Sequence, residues 1–281
     1  MLVSLGGCAT VPADLGRSDV DALAAERGLG LPKAQTDQLD RLLAEPLTAD
    51  SAVQVALMNN PGLRSELASL GFGAAEVYAA GRLSNPRFSG AWLDSKQAGE
   101  GTQRTLGLTL PFADLLTLPV RTKLAQLEFA MLKSDVANAA MVVATDTEVA
   151  FYQLIADQRA QDMRVRQTTA ATLAAELAMR FHAAGNINDK ELAELRAEAA
   201  EAELDRLDGD AQVKASRSRL AGLLGLPAAD PWQVDTALAQ PPVEEPPLTE
   251  VAALAQQQRL DLLAARTKAD VLAQRLGFTS W

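Results

Sequence analysis

From Val120 to Ala184 the chain runs 65 residues without a proline or a glycine. Those two residues are the usual interrupters of a helix, so the stretch reads as one helix, a rod of roughly 95 Å at 1.5 Å per residue. That far exceeds an ordinary globular helix and requires a partner along its length. Composition agrees: 48% of residues are apolar but only 4% aromatic, the excess being alanine and leucine, which favour helix. The fold class expected is mostly α.

Within the stretch, Val142, Val149, Ala156, Met163, Ala170, Leu177 and Ala184 recur every seven residues, with Tyr152 and Leu173 on the flanking register and Arg159 and Arg166 interrupting. This predicts a coiled-coil seam. Ala184-Gly185-Asn186-Ile187-Asn188 supplies a helix stop, and Asn188 or Asp189 a cap for the next helix. A return helix follows, with Leu192, Leu195, Ala199, Ala202, Arg206, Gly209, Val213, Ser216, Leu220 and Leu223 in a three-four register, closed by Gly225-Leu226-Pro227. The two make a very long antiparallel helical hairpin. Glu194, Glu198, Glu201 and Glu203 with Arg196 and Arg206 read as a solvated helix face. His182, beside the turn, reads as a helix-end side chain favoured by the dipole, with a pH switch as the alternative.

Upstream, residues 9–45 hold Pro12, Gly28, Gly30 and Pro32 and read as a tether with a short helix. Thr48 is placed to cap a helix that Asn59-Asn60-Pro61-Gly62 breaks, and Leu63, Leu67, Leu70, Ala74, Val77 and Gly81 form the seam of the next. The period then changes from 3.5 to 2. Phe88, Gly90 and Trp92 alternate with polar or small residues, as do Leu106, Leu108 and Leu110, around the glycine-rich Ser95–Thr102. These are two strands of a hairpin. A soluble hairpin would bury that apolar face in a core. A membrane barrel would turn it to lipid and point Thr105, Gly107 and Thr109 into a lumen.

Leu47–Gly81 is echoed at Leu248–Phe278 after about 200 residues, the scale of a structural unit rather than of a solenoid turn. The proline-rich Pro231–Pro247 joins the two as an extended linker. Near the start, Leu5-Gly6-Gly7-Cys8 matches the small residues before the acylated cysteine of a bacterial lipoprotein signal, though the charged and apolar regions of such a signal are nearly missing. Cys8 is therefore expected to be an acyl anchor, a chance cysteine in a tail being the alternative. No run approaches the ~20 apolar residues of a spanning helix.

A net charge of −10 with dispersed lysine and arginine argues against nucleic acid as a partner. One histidine and one cysteine leave too few soft ligands for a zinc or copper site, so no metal or other cofactor is expected. No arrangement of catalytic residues stands out, and enzyme chemistry is not expected.

Helix, strand pair, long helical hairpin and proline linker, in that order, resemble the outer-membrane efflux protein family, the TolC-like channels. Ala56-Leu57-Met58-Asn59-Asn60-Pro61-Gly62-Leu63-Arg64 is similar to the family's opening pattern, and Thr109-Leu110-Pro111-Phe112 with Asp114-Leu115-Leu116 to the exit from its second strand. Arg180-Phe181-His182-Ala183-Ala184-Gly185 resembles the periplasmic tip, Leu220–Leu226 the close of a first repeat, and Arg259-Leu260-Asp261-Leu262 its counterpart in a second, with Leu260 in a proline's place. The resemblance implies a trimer in which protomers share one β-barrel and one periplasmic helical tunnel, lying in the bacterial outer membrane. An inner-membrane pump and a periplasmic adaptor protein would be its partners, outer-membrane lipid its surroundings, and small solutes such as drugs or metal ions its cargo.

On this reading Cys8 is the lipidation site, Ala184, Gly185, Asn186 and Ile187 the adaptor-facing tip, and Phe88, Trp92, Leu106, Leu108 and Leu110 the lipid-facing set. Residues 1–46 are a lipoprotein tether and 47–226 a first repeat, with a β-hairpin at 86–111 and a helical hairpin at 113–224. Residues 227–247 are a linker and 248–281 the start of a second repeat, cut short, so that the chain amounts to half of a TolC-like protomer. The alternative from another class is a periplasmic lipoprotein acting as a structural or adaptor coiled-coil module, its strand pair part of a soluble β element.

Overall fold

A computed structural model describes residues 12–32, 36–85, 87–93, 103–109, 112–237 and 246–276. It is 76% helical. The elements are α1 (Arg17–Ala25), α2 (Thr36–Leu43), α3 (Ala49–Asn59), α4 (Pro61–Ala80), β1 (Arg87–Leu93), β2 (Gln103–Thr109), α5 (Phe112–Ala183), α6 (Asp189–Leu224), α7 (Leu248–Gln258) and α8 (Leu260–Arg275). They form two compact units, one of residues 1–27, 66–138 and 247–281 and the other of residues 28–65 and 139–246. α5 is one helix of 72 residues that contributes to both.

The second unit is organised around the end of α6. Its main core joins Leu47, Val55, Ala56, Phe151, Leu154, Ile155, Leu220, Leu224 and Trp232, all buried. Thr48 and Ser51 form a capping box that starts α3. α3 ends where Asn60 takes ψ 121°, since a residue before proline is barred from helical geometry. The two asparagines then reach across to α6. Asn59 Nδ2 donates to Leu224 O at 3.0 Å and Gly225 O at 2.9 Å, and Asn60 Nδ2 donates to Leu223 O at 2.9 Å. The Asn60 side-chain oxygen accepts from Leu63 N at 2.9 Å and caps α4. Gly225 is left-handed at φ 66°, with Leu226 N donating to Ala221 O at 2.9 Å in a Schellman closure. A Cβ at Gly225 would overlap the Asn59 carbonyl.

The start of the proline-rich stretch packs onto the same core. Arg217 stacks over the Trp232 ring at 3.8 Å and donates to the carbonyls of Ala228, Asp230 and Trp232. Leu47 pairs with Val234 as a parallel bridge.

α5 and α6 run antiparallel with their contacts in one register. Thr168 Oγ1 donates to Ala202 O at 2.8 Å, and Gln161 Nε2 donates to Arg206 O at 3.1 Å and Asp210 Oδ1 at 2.7 Å. Gly209 sits under Gln161, whose side-chain oxygen occupies the place of a Cβ. On α6 every residue of the expected seam is buried or half-buried. On α5 the expected seam is not the buried one. Val142, Val149, Ala156, Met163, Ala170 and Leu177 are exposed, while Ala140, Thr147, Leu154, Gln161, Thr168 and Ala175 are buried. The reason is chemical: with long helices approaching closely, Ala and Thr fit the interface and Gln161 and Thr168 hydrogen-bond across it, so the more apolar heptad is left facing outward.

In the first unit, Val20 and Ala24 of α1, Leu70 and Ala74 of α4, Val136 of α5 and Leu260 of α8 are buried. Lys133 of α5 pairs with Asp19 of α1 at 2.5 Å. Asp14 caps α1: its carboxylate accepts from Ser18 N at 2.8 Å and Gly16 N at 3.3 Å. Hydrogen bonds from the Ser18 side chain, then from the Ser18 and Gly16 amides, lower its pKa from 3.8 to about 2.

Gly225→Ala should cost about 2 kcal/mol or more in urea unfolding, since it combines left-handed strain with a clash against Asn59 O. Gly185→Ala meets open space and should cost only the ~1 kcal/mol of left-handed backbone; equal losses would contradict the close approach of Gly225 to the Asn59 carbonyl. Because folding lowers the Asp14 pKa, its contribution is complete above 3.8 and disappears as pH falls through about 2. Amide protection at Ser18 should follow that acid limb, and Asp14→Asn should remove the dependence.

Candidate functional site: an amphipathic hairpin and a helical tip

β1 and β2 pair antiparallel as a two-stranded sheet. Their register sets Phe88 opposite Leu108, Gly90 opposite Leu106 and Trp92 opposite Arg104. Directly opposite residues share a face, so Phe88, Trp92, Leu106 and Leu108 lie together, and all are exposed, at 79%, 66%, 83% and 56%. The Trp92 ring leans over Gly90, within 3.2 Å of where a Cβ would stand, an aromatic covering a glycine gap. The other face carries Arg87 with Thr109, Ser89 with Gly107 and Ala91 with Thr105. A Cβ at Gly107 would come within 2.6 Å of Ser89 Oγ. Leu110 and Cys8 lie outside the described residues.

Sequence reading missed Arg104. It shares the apolar face at the loop end of β2, and extending the 106–108 alternation back one step would have found it.

The tip residues Ala184, Gly185, Asn186 and Ile187 form the α5–α6 turn. Gly185 is left-handed at φ 76°, and Asn186 N donates to Phe181 O at 2.9 Å, the closure also used at Gly225. Asn188, not Asp189, caps α6, in a capping box with Glu191. Asp189 instead meets His182 Nε2 at 2.7 Å across the turn. Ala184, Gly185 and Asn186 are exposed and Ile187 half-buried. The hairpin residues and the tip residues therefore form two separate sets, one on β1–β2 and one at the α5–α6 turn.

Further along α6, Arg206 pairs with Glu203 at 2.8 Å and Asp210 at 2.7 Å. The Arg206 hydrogen bond holds the Glu203 carboxylate below its ordinary range. Among the described residues no cluster of His, Cys, Asp or Glu is placed to hold a metal ion. Nor is any described helix long and apolar enough to cross a membrane.

No family model and no curated protein matches the chain. Solved structures do. A membrane protein from Pseudomonas aeruginosa aligns over 85% of this chain and 56% of its own, with TM-score 0.65 and 17% identity. The outer membrane protein VceC from Vibrio cholerae aligns over 82% and 57%, with TM-score 0.64 and 20% identity. The CmeC outer membrane channel of Campylobacter jejuni aligns over 82% and 52%, with TM-score 0.68 and 16% identity. The chain has the TolC-like fold. It spans little more than half the length of these three structures. What it covers is one β-hairpin and one helical hairpin of such a protomer.

Within that fold the two α5 heptads have separable effects. Leu154→Ala should cost 2–5 kcal/mol of protomer stability, whereas Val149→Ser and Met163→Ser, on the exposed heptad, should stay within about 0.5 kcal/mol. Denaturant titration of the dispersed protomer in detergent checks both; a large loss at Val149 would place that stripe inside the hairpin after all.

Proposed function

We propose that this chain works as the channel-forming part of an outer-membrane efflux component that exports small solutes. The observation that carries the reading is the hairpin face of Phe88, Trp92, Leu106 and Leu108, exposed on a TolC-like fold and backed by a face of Thr105, Gly107 and Thr109. A soluble coiled-coil module would need that apolar face inside a core, and its exposure speaks for lipid instead. Phe88, Trp92, Leu106 and Leu108, with Leu110, meet lipid, and the threonine face meets the lumen.

The exposed α5 heptad supports self-association. Val142, Val149, Met163 and Leu177 form a stripe that neighbouring protomers, three in the arrangement the fold suggests, would bury. Ala184, Gly185, Asn186 and Ile187 are the surface offered to a periplasmic adaptor protein, which links the channel to an inner-membrane pump. Cys8 is the acyl anchor to the outer membrane. The protein moves solutes without chemistry of its own, and residues 47–226 constitute one repeat, with 248–276 opening another.

Leu108→Arg should cost about 2–4 kcal/mol of bilayer stability if the face lies near the midplane, while Thr105→Arg on the opposite face should insert normally. Folding into phospholipid vesicles, followed by protease protection of the hairpin, separates the two. Equal insertion of both variants would exclude the lipid-facing assignment.

A further inference from the structure

Charge is distributed unevenly around the hairpin. The chain has a formal net charge of −10, yet between Glu76 on α4 and Glu128 on α5 the described residues carry Arg82, Arg87, Arg104, Arg121 and Lys123 against Asp114 alone. Four of the five basic residues flank the junction where α4 leads into β1 and β2 into α5; Arg104 stands at the far end of the strands.

The junction is tied together by its own polar groups. Arg121 donates from Nε to Ala80 O at 2.9 Å and from Nη2 to Arg82 O at 2.7 Å, and Thr122 Oγ1 donates to Ala80 O at 3.3 Å. Arg121 thereby closes the negative end of the α4 dipole. Ser84 donates to Asp114, which draws the one acid into the same junction. Arg82, Arg87 and Lys123 remain exposed, the Arg82 guanidinium lying 5.1 Å from the centre of the Tyr78 ring.

The same place carries apolar surface. Phe112, Leu116 and Val120 recur every four residues in the first turns of α5 and are 69%, 68% and 65% exposed. That spacing puts them along one side of the helix. An exposed Phe-Leu-Val stripe beside tyrosine and arginine is surplus to a junction surrounded by water, whereas a membrane–water boundary takes both classes of side chain.

We infer that this junction is a lipid-headgroup collar: Arg82 and Lys123 bind the phosphates of anionic phospholipid at the periplasmic surface of the bilayer, while Phe112, Leu116 and Val120 dip among the acyl chains beneath. Charge complementarity selects the occupant, since an excess of cations in an acidic protein matches an anionic surface. The inference rests on the reading of β1–β2 as the bilayer-embedded element. It adds a chemical preference among lipids that a barrel face alone does not have.

Flotation of the detergent-purified full chain with phosphatidylcholine vesicles, with and without phosphatidylglycerol, tests it. The wild type should partition more strongly onto the anionic vesicles, and the difference should shrink as salt is raised. Each cation near the surface contributes roughly fivefold. Lys123→Gln should therefore lose about fivefold, and R82Q/K123Q about 25-fold, on anionic vesicles only.

Equal partitioning of the wild type onto both kinds of vesicle, or a double variant that matches it, would overturn the collar. So would loss of anionic-vesicle binding to added inorganic phosphate but not to chloride of equal ionic strength, which would point to a small-anion site. Leu108→Arg, run alongside, should weaken partitioning onto both kinds of vesicle. If it does and the double variant does not, the collar fails while the membrane reading stands; if Leu108→Arg changes nothing, the membrane reading itself fails.

Discussion

Two adjacent asparagine side chains hold the second unit in register. Asn59 and Asn60 take the carbonyls of Leu223, Leu224 and Gly225, the acceptors that the end of α6 leaves without helical partners. One residue on, the Asn60 side-chain oxygen starts α4. A single dipeptide thus ends one helix, begins a second and closes a third. The Leu220–Leu224 end of α6 is thereby fixed against α3, where the buried core lies, and the proline-rich strap seats Trp232 on the same cluster. Gly225 belongs to this arrangement because any side chain there would strike the Asn59 carbonyl. In the sequence, Asn-Asn-Pro-Gly was legible as a break. Its second task was not, because a break needs only local signals whereas the acceptors lie about 165 residues away.

The α5–α6 hairpin shows where periodicity informs and where it misleads. The α6 seam was legible because its three-four register runs unbroken from Leu192 to Leu223. α5 carries two heptads, and ranking them by hydrophobicity selects the outward one. The inward one holds Thr147, Gln161 and Thr168, whose value is close approach and, at Gln161 and Thr168, a hydrogen bond across the interface, neither visible to a hydropathy pattern. Gly209 was the available signal. A glycine inside a long helix costs about 1 kcal/mol relative to alanine, and here it makes room for Gln161.

The two echoing segments end their first helix alike. Asn60 ends α3 with φ −59° and ψ 121°, and Arg259 ends α7 with φ −66° and ψ 121°, each followed at once by a new helix. The local sequence therefore encodes the same break twice, although Leu260 replaces Pro61 and Arg259 replaces Asn60. The copies differ in burial. α3 has six buried residues and α7, among the described residues, has none. A helix–break–helix signal is local and survives alone; a buried face exists only where another element covers it.

The hairpin shows the complementary limit. Its alternation and pairing were readable because period 2 and a glycine-rich connection are local properties, and the observed register joins the expected residues on one face. Alternation cannot say whether that face belongs against protein or lipid, since both environments reward the same side chains. Exposure in the folded chain argues for lipid. Charge supplies an independent argument, because a soluble core has no use for cations at the rim of an apolar face, while a bilayer ends in phosphate. Arg104 beside Trp92 at one end of the strands, and Arg82 just before the other, put cations at both edges of the apolar band, where a hydrocarbon layer would meet its headgroups.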